Sequence, residues 1–136
     1  MSKHSLTLRD QTTEFLLYTA PNGHIKVEVL LSNESIWLTQ ERMAELFGVQ
    51  RPAITKHLKN IFEDEELREA ATAKNFLTVQ TEGTRRVQRR LKHYNLDVVI
   101  SVGYRVNSKR AVLFRQWATR ILREHLTQGY TLNRQR

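Results

Sequence analysis

The chain has 136 residues, 40% of them hydrophobic, with 22 Lys and Arg against 14 Asp and Glu for a net charge of +8. That length supports one domain with a core of its own, and the absence of cysteine excludes a disulfide framework, a thiolate zinc site and a cysteine nucleophile. No apolar run approaches the roughly 20 residues of a membrane span, and the opening "MSKHSLTLRD" lacks the apolar centre of a secretory signal, so a cytoplasmic protein without a membrane partner is expected.

Residues 1–13 read as a flexible tail before a single domain over 14–132. "EFLLYT" (14–19) and "HIKVEVLL" (24–31) flank Pro21-Asn22-Gly23, whose residues preset or tolerate turn dihedrals, which predicts a β-hairpin. In its second strand Ile25, Val27 and Val29 alternate with Lys26 and Glu28, the period of a half-buried strand. After the polar break "SNES", Ile36, Trp37 and Leu38 read as an apolar clasp before Thr39, a natural N-cap.

From Thr39 the period becomes helical. Met43, Ala44, Leu46 and Phe47 form the inner stripe, and Gly48 ends the helix because it adopts left-handed dihedrals without a Cβ penalty. Pro52 suits the opening turn of a second helix with Ile54, Leu58 and Ile61 inside. Gln50, Arg51, Thr55, Lys56 and Lys59 remain outside, side chains suited to base edges and phosphates. The order Gln40, three residues, Ala44, three residues, Gly48-Val49, four residues, Ile54 resembles the helix-turn-helix of phage repressors and Cro. A structural helix hairpin is the plainer alternative.

The acidic run "EDEELREAA" reads as a solvated connector rather than a metal site, because consecutive helical residues diverge. Glu82-Gly83 then marks a turn between strands over 76–81 and 86–94, a hairpin assigned as 75–94. Arg86, Gln88, Arg90 and Lys92 alternate onto one face of it, a wing-like stripe for a phosphate backbone; the alternative is an edge hairpin kept charged against aggregation. Charge is concentrated from here onward. Residues 85–136 hold 13 Lys and Arg against Asp97 and Glu124, a net of +11, whereas the first 84 residues hold 9 against 12, a net of −3.

"NLDVVISVGYRV" predicts a short buried helix ending near Gly103, and "NSKR" opens a last helix closed by Gly129, together a helical pair over 95–128 before a tail over 133–136. Ala111, Phe114, Trp117, Ala118, Ile121, Leu122 and His125 fall on its inner face. Lys109 and Arg110 stand at the positive end of this helix's dipole, a conflict that a bound phosphate relieves, so both join the candidate DNA contacts.

The runs "SIWLTQERMAELFGVQRPAITKHLKNIF" and "EGTRRVQRRLKHYNLDVVISVGYRVNSKRAVLFRQWATRILREHLTQGY" resemble the RhuM virulence-protein family. "NSKRAVLFRQWATRIL" is also similar, more weakly, to the Bro-N domain of phage antirepressors. The resemblance implies a bacterial, often mobile-element-borne DNA-binding protein, and since such relatives are usually longer, it implies that this chain is an N-terminal module. The sequence therefore predicts an α+β fold: an N-terminal hairpin with helix-turn-helix over 14–62, a basic wing-like hairpin and a C-terminal helical pair. It predicts a sequence-dependent, regulatory binder of double-stranded DNA, acting as a homodimer and nucleoid-associated when bound, with no cofactor, metal or catalytic residue. Two other classes compete, a nucleic-acid-acting enzyme or toxin and an antitoxin-like protein-interaction module; no D...ExK cluster, P-loop or Gly-x-Ser-x-Gly motif supports the first.

Overall fold

The computed structural model describes residues 13–134, with side chains to His125. The expected tail over 1–13 lies outside them except for Thr13, which already opens a strand. The fold is mixed α and β, as predicted. In chain order it comprises β1 (Thr13–Thr19), β2 (Lys26–Ser32), β3 (Ser35–Leu38), α1 (Gln40–Phe47), α2 (Arg51–Glu63), α3 (Glu69–Thr72), β4 (Ala73–Glu82), β5 (Arg85–Asn95), α4 (Leu96–Val106) and α5 (Ser108–Arg134). The strands form one antiparallel sheet in the order β1-β2-β3-β5-β4. No helix of the described residues is long and apolar enough to cross a membrane.

The clasp predicted over Ile36 to Leu38 is instead a third strand. Asn33 and Glu34 both take positive φ, 52° and 61°, and Ser32 faces Ser35 across them, so "SNES" closes a two-residue hairpin rather than a loose break. A left-handed Glu is unfavourable by about 1 kcal/mol, so Glu34→Gly should raise the unfolding midpoint by a few degrees in a thermal melt. A lowered midpoint would show that this backbone is held without strain.

β3 is the keystone of the sheet. It pairs with β2 at Leu30 to Ser32 and with β5 only at Tyr94 and Asn95. Both neighbours run antiparallel to it, so the β1–β2 and β4–β5 hairpins project the same way from this short seam, with a cleft between them. One sheet face carries Tyr18, Val27, Val29, Leu31, Ile36, Leu38 and Tyr94, which pack with Met43, Phe47, Ile54, Leu58, Ile61, Val98, Val102, Phe114 and Ala118 into the core. Tyr18 meets Phe114 and Trp117 edge-on at 5.0 and 5.1 Å. On the other face Trp37, Phe76 and His93 stack edge to edge at 5.3 and 5.2 Å.

Two helix ends differ from expectation. α4 runs through Gly103 to Val106 and is capped by Asn107. Gly103 is a contact residue, not a stop: a Cβ there would lie 2.6 Å from the Phe47 ring and 2.7 Å from Ala111. α5 likewise continues through Gly129 to Arg134, so 133–134 are helical and not tail, while 135–136 lie outside the described residues. A glycine inside a long helix costs only about 1 kcal/mol, which neighbouring turns absorb.

His93 offers a measurable pH response. It is 6% exposed, and burial holds its imidazole below the ordinary value, partly offset by the Nδ1–H donated to the Leu91 carbonyl at 2.9 Å. The unfolded chain therefore takes up the proton first, so the neutral-His93 contribution to stability is complete above about pH 6.5 and is lost as pH falls below it. Melting temperatures measured from pH 7 to pH 5 should fall, and His93→Gln should flatten that fall; an unchanged slope would place the titration elsewhere.

Candidate functional site

The helix pair is built by local chemistry. Thr39 caps α1, accepting from the Arg42 N–H at 3.2 Å, and Gly48, at φ 72°, accepts the turn while its N–H bonds the Ala44 carbonyl. α2 begins at Arg51 with Pro52 in its first turn, and its N-cap Gln50 makes no side-chain capping bond. Burying Ile54, Leu58 and Ile61 on one side leaves Gln50, Arg51, Thr55, Lys56 and Lys59 exposed on the other. Arg51, Thr55 and Lys59 are spaced by four and line up along the helix. Lys59 lies 4.0 Å from Glu63, an exposed i,i+4 pair of little energetic weight.

Thr55 is already engaged. Its hydroxyl donates to the Gln40 side-chain carbonyl at 2.6 Å, and the Gln40 amide donates to the Tyr94 hydroxyl at 3.3 Å. This chain of hydrogen bonds ties α2 to α1 and to the root of the β4–β5 hairpin. Gln40 is a functional candidate that helical periodicity marks only as surface. Its place at the first position of α1, opening the Gln-Ala-Gly-Val-Ile spacing, is the signal that could have found it.

The register of β4 on β5 is continuous from Ala73–Tyr94 to Glu82–Arg85, with no bulge. Strand alternation therefore puts Lys92, Arg90, Gln88 and Arg86 on the face of Tyr94, the side of the sheet that carries the helices. Strands of 10 and 11 residues extend roughly 30 Å, and Arg86 and Arg90 stand exposed without an ion pair among the described residues. Lys92 is different. It pairs with Glu69 of α3 and stands 5.9 Å from the Tyr94 ring centre, and the hydrogen bond to Glu69 raises its pKa above the ordinary value. Arg89, on the opposite face, is held by Glu82 at 2.8 Å.

The last two predicted cations lie apart from these. Lys109 is exposed, but Arg110 is half-buried: its backbone N–H is capped by Asn107, and its guanidinium donates to the Leu46 carbonyl at 3.3 Å and lies against Gly48. The electrostatic conflict expected for Arg110 is thus relieved within the chain. Its charge sits at the negative end of α1, where a cation is favoured, rather than on a phosphate at the start of α5. The acidic connector is also partly anchored, since Glu66 accepts from Ser101 and Arg105, both at 2.7 Å, which lowers its pKa.

Between the hairpins the cleft encloses about 820 Å³, walled by Phe15, Leu30, Trp37, Val79 and Leu91 with Arg42, Arg86, Glu28 and Glu41 at its rim. Arg42 is tied there to Glu28 and Glu45 at 3.3 and 3.2 Å. No group of three or more His, Asp or Glu among the described residues is placed to hold a metal ion.

Residues 71–136, from the end of α3 through the basic hairpin and both C-terminal helices, match the Virulence protein RhuM family. The match covers just under half of the chain. The RhuM segment thus contains Arg86, Arg90, Lys92, Lys109 and Arg110, whereas α1 and α2 precede it. No curated protein and no solved structure matches the chain.

Proposed function

We infer that this protein binds double-stranded DNA in a sequence-dependent, regulatory role. In this reading α1 and α2 are a helix-turn-helix whose second helix enters the major groove, and the β4–β5 hairpin is a wing on the phosphate backbone. One observation carries it: the outer side of α2 presents Gln50, Arg51, Lys56 and Lys59, the helix's one acidic side chain being Glu63 at its last residue, and Arg86 and Arg90 extend from the helix-bearing side of the sheet. Arg51 and Gln50 read base edges, and Thr55 joins them by exchanging its bond to Gln40. Lys56, Lys59, Arg86 and Arg90 hold phosphates. Lys92 contributes charge from its pair with Glu69, and Lys109 adds a peripheral cation; Arg110 is assigned to the turn between the helices instead.

A single recognition helix covers only a few base pairs, so the operator is read by a homodimer. The family name specifies no biochemical activity, and support comes from the helix pair and the hairpin. Selection of bound fragments from genomic DNA, followed by competition with unrelated duplex, tests it. A shared, inverted-repeat sequence among the fragments is expected. Fragments without a common sequence would remove the sequence-reading role of α2.

A further inference from the structure

A second concavity, away from the outer face of α2, lies where the β1–β2 turn meets the end of α1 and the start of α5. It measures about 290 Å³ and is walled by Pro21, Ile25, Leu46 and Leu113, with Tyr18, Lys109 and Arg110 as its charged or hydrogen-bonding side chains and Asn22 at the turn. No carboxylate of the described residues lines it. Asn22 is occupied by the His24 N–H at 2.8 Å, which closes its own turn. The polar groups left facing the space are therefore donors.

Tyr18 is the decisive member. It is 3% exposed, its ring packs in a three-ring cluster with Phe114 and Trp117, and its hydroxyl finds no hydrogen-bond partner among the described residues although it borders the cavity. The ring is buried while the hydroxyl opens on the cavity, so its hydrogen bond is made to whatever fills that space, water or a ligand oxygen. Burial raises the phenol's pKa and the nearby Arg110 charge opposes that, so the hydroxyl stays a donor at neutral pH. Arg110 uses one of its five N–H groups on Leu46 and keeps others for a second acceptor.

We propose that this cavity is a binding site for a small organic carboxylate with an apolar body about the size of one aromatic ring, its carboxylate held by Tyr18, Lys109 and Arg110. Size agrees with chemistry: an apolar cavity of about 150 Å³ takes a benzene, so roughly twice that admits a ring with its carboxylate. Inorganic phosphate would meet the same donors but leave the apolar walls of Ile25, Leu46 and Leu113 uncovered. Because Arg110 also grips the end of α1 beside Gly48, the ligand touches the turn that sets α2. The consequence that it modulates DNA affinity rests on the proposed function; the binding itself does not.

The test is calorimetric titration of the full chain, without DNA, with benzoate, phenylacetate, benzyl alcohol and inorganic phosphate, with Trp117 fluorescence as a second readout. Saturable one-to-one binding of an aryl carboxylate is expected, about 10- to 100-fold tighter than the alcohol or phosphate, the range that charge-assisted hydrogen bonds give. Lys109→Gln and Tyr18→Phe, both mild changes, should each weaken it by about 5- to 10-fold, and Leu113→Trp should abolish it by filling the space while the melting curve stays cooperative. Absence of saturation at millimolar carboxylate, equal affinity for phosphate, or binding undiminished in Leu113→Trp would overturn the site. DNA anisotropy repeated at saturating carboxylate then addresses the effector role alone, which an unchanged DNA affinity would refute with the site intact.

Discussion

If the proposed function holds, raising salt from about 50 to about 200 mM should lower the affinity for duplex DNA by on the order of a thousandfold, because a dimer neutralising six or more phosphates would release that many counterions. The contributors are named by exposure and by the absence of partners: Lys56, Arg86 and Arg90 make no ion pair among the described residues, and Lys59 has only a 4.0 Å neighbour. Substitutions divide the labour. Arg51→Ala should cost about 1–3 kcal/mol at a selected site and blur discrimination, while Arg90→Ala should weaken all sequences alike and reduce the slope of log affinity against log salt by about 1 for each phosphate no longer neutralised. Fluorescence anisotropy on selected and scrambled duplexes at several salt concentrations measures both. An affinity insensitive to salt would defeat the whole proposal, and equal, sequence-independent losses for the two variants would defeat only the assignment of α2 as reader.

The second large effect is on stability and centres on the packing of α1 against α4 and α5. Helix propensity alone says that Gly103→Ala stabilises α4 by about 1 kcal/mol. Packing says the reverse: the new methyl would stand 2.6 Å from a Phe47 ring that is itself only 2% exposed, and 2.7 Å from Ala111 on the far side. With no room for the ring to retreat, overpacking wins, and Gly103→Ala destabilises by about 1–3 kcal/mol. Phe47→Ala, which opens a cavity instead, costs about 3–5 kcal/mol. Combining Gly103→Ala with Phe47→Leu should then cost less than the sum of the two single changes, since each relieves the other. Urea unfolding with an unchanged slope measures every variant. Strict additivity would mean that Gly103 and Phe47 do not share the strain.

Legibility in the sequence varies by element. Gly48 as a left-handed stop, Thr39 as a cap and Pro52 at the opening of α2 are readable because each acts within a few residues of itself. Gly103 and Gly129 mislead for the same reason: a local rule treats glycine as a helix end, but helix continuation is decided by packing against other elements. Thr55 is readable as exposed and unreadable as bonded, since its partner Gln40 lies on another helix.

The two hairpins, the helix pair and the side of α2 and β5 on which the cations emerge all follow from the linear chain, because turn chemistry, caps and periodicity are written in neighbouring residues. Only the folded chain makes β3 a strand joining the two hairpins and lays the basic row of β5 on the helix-bearing face. Folding likewise sends Arg110 back 64 residues to close α1, and Gln40 forward 54 to Tyr94. Those contacts form only when distant segments meet, and their energies come from burial and from partners that no local window of the sequence contains.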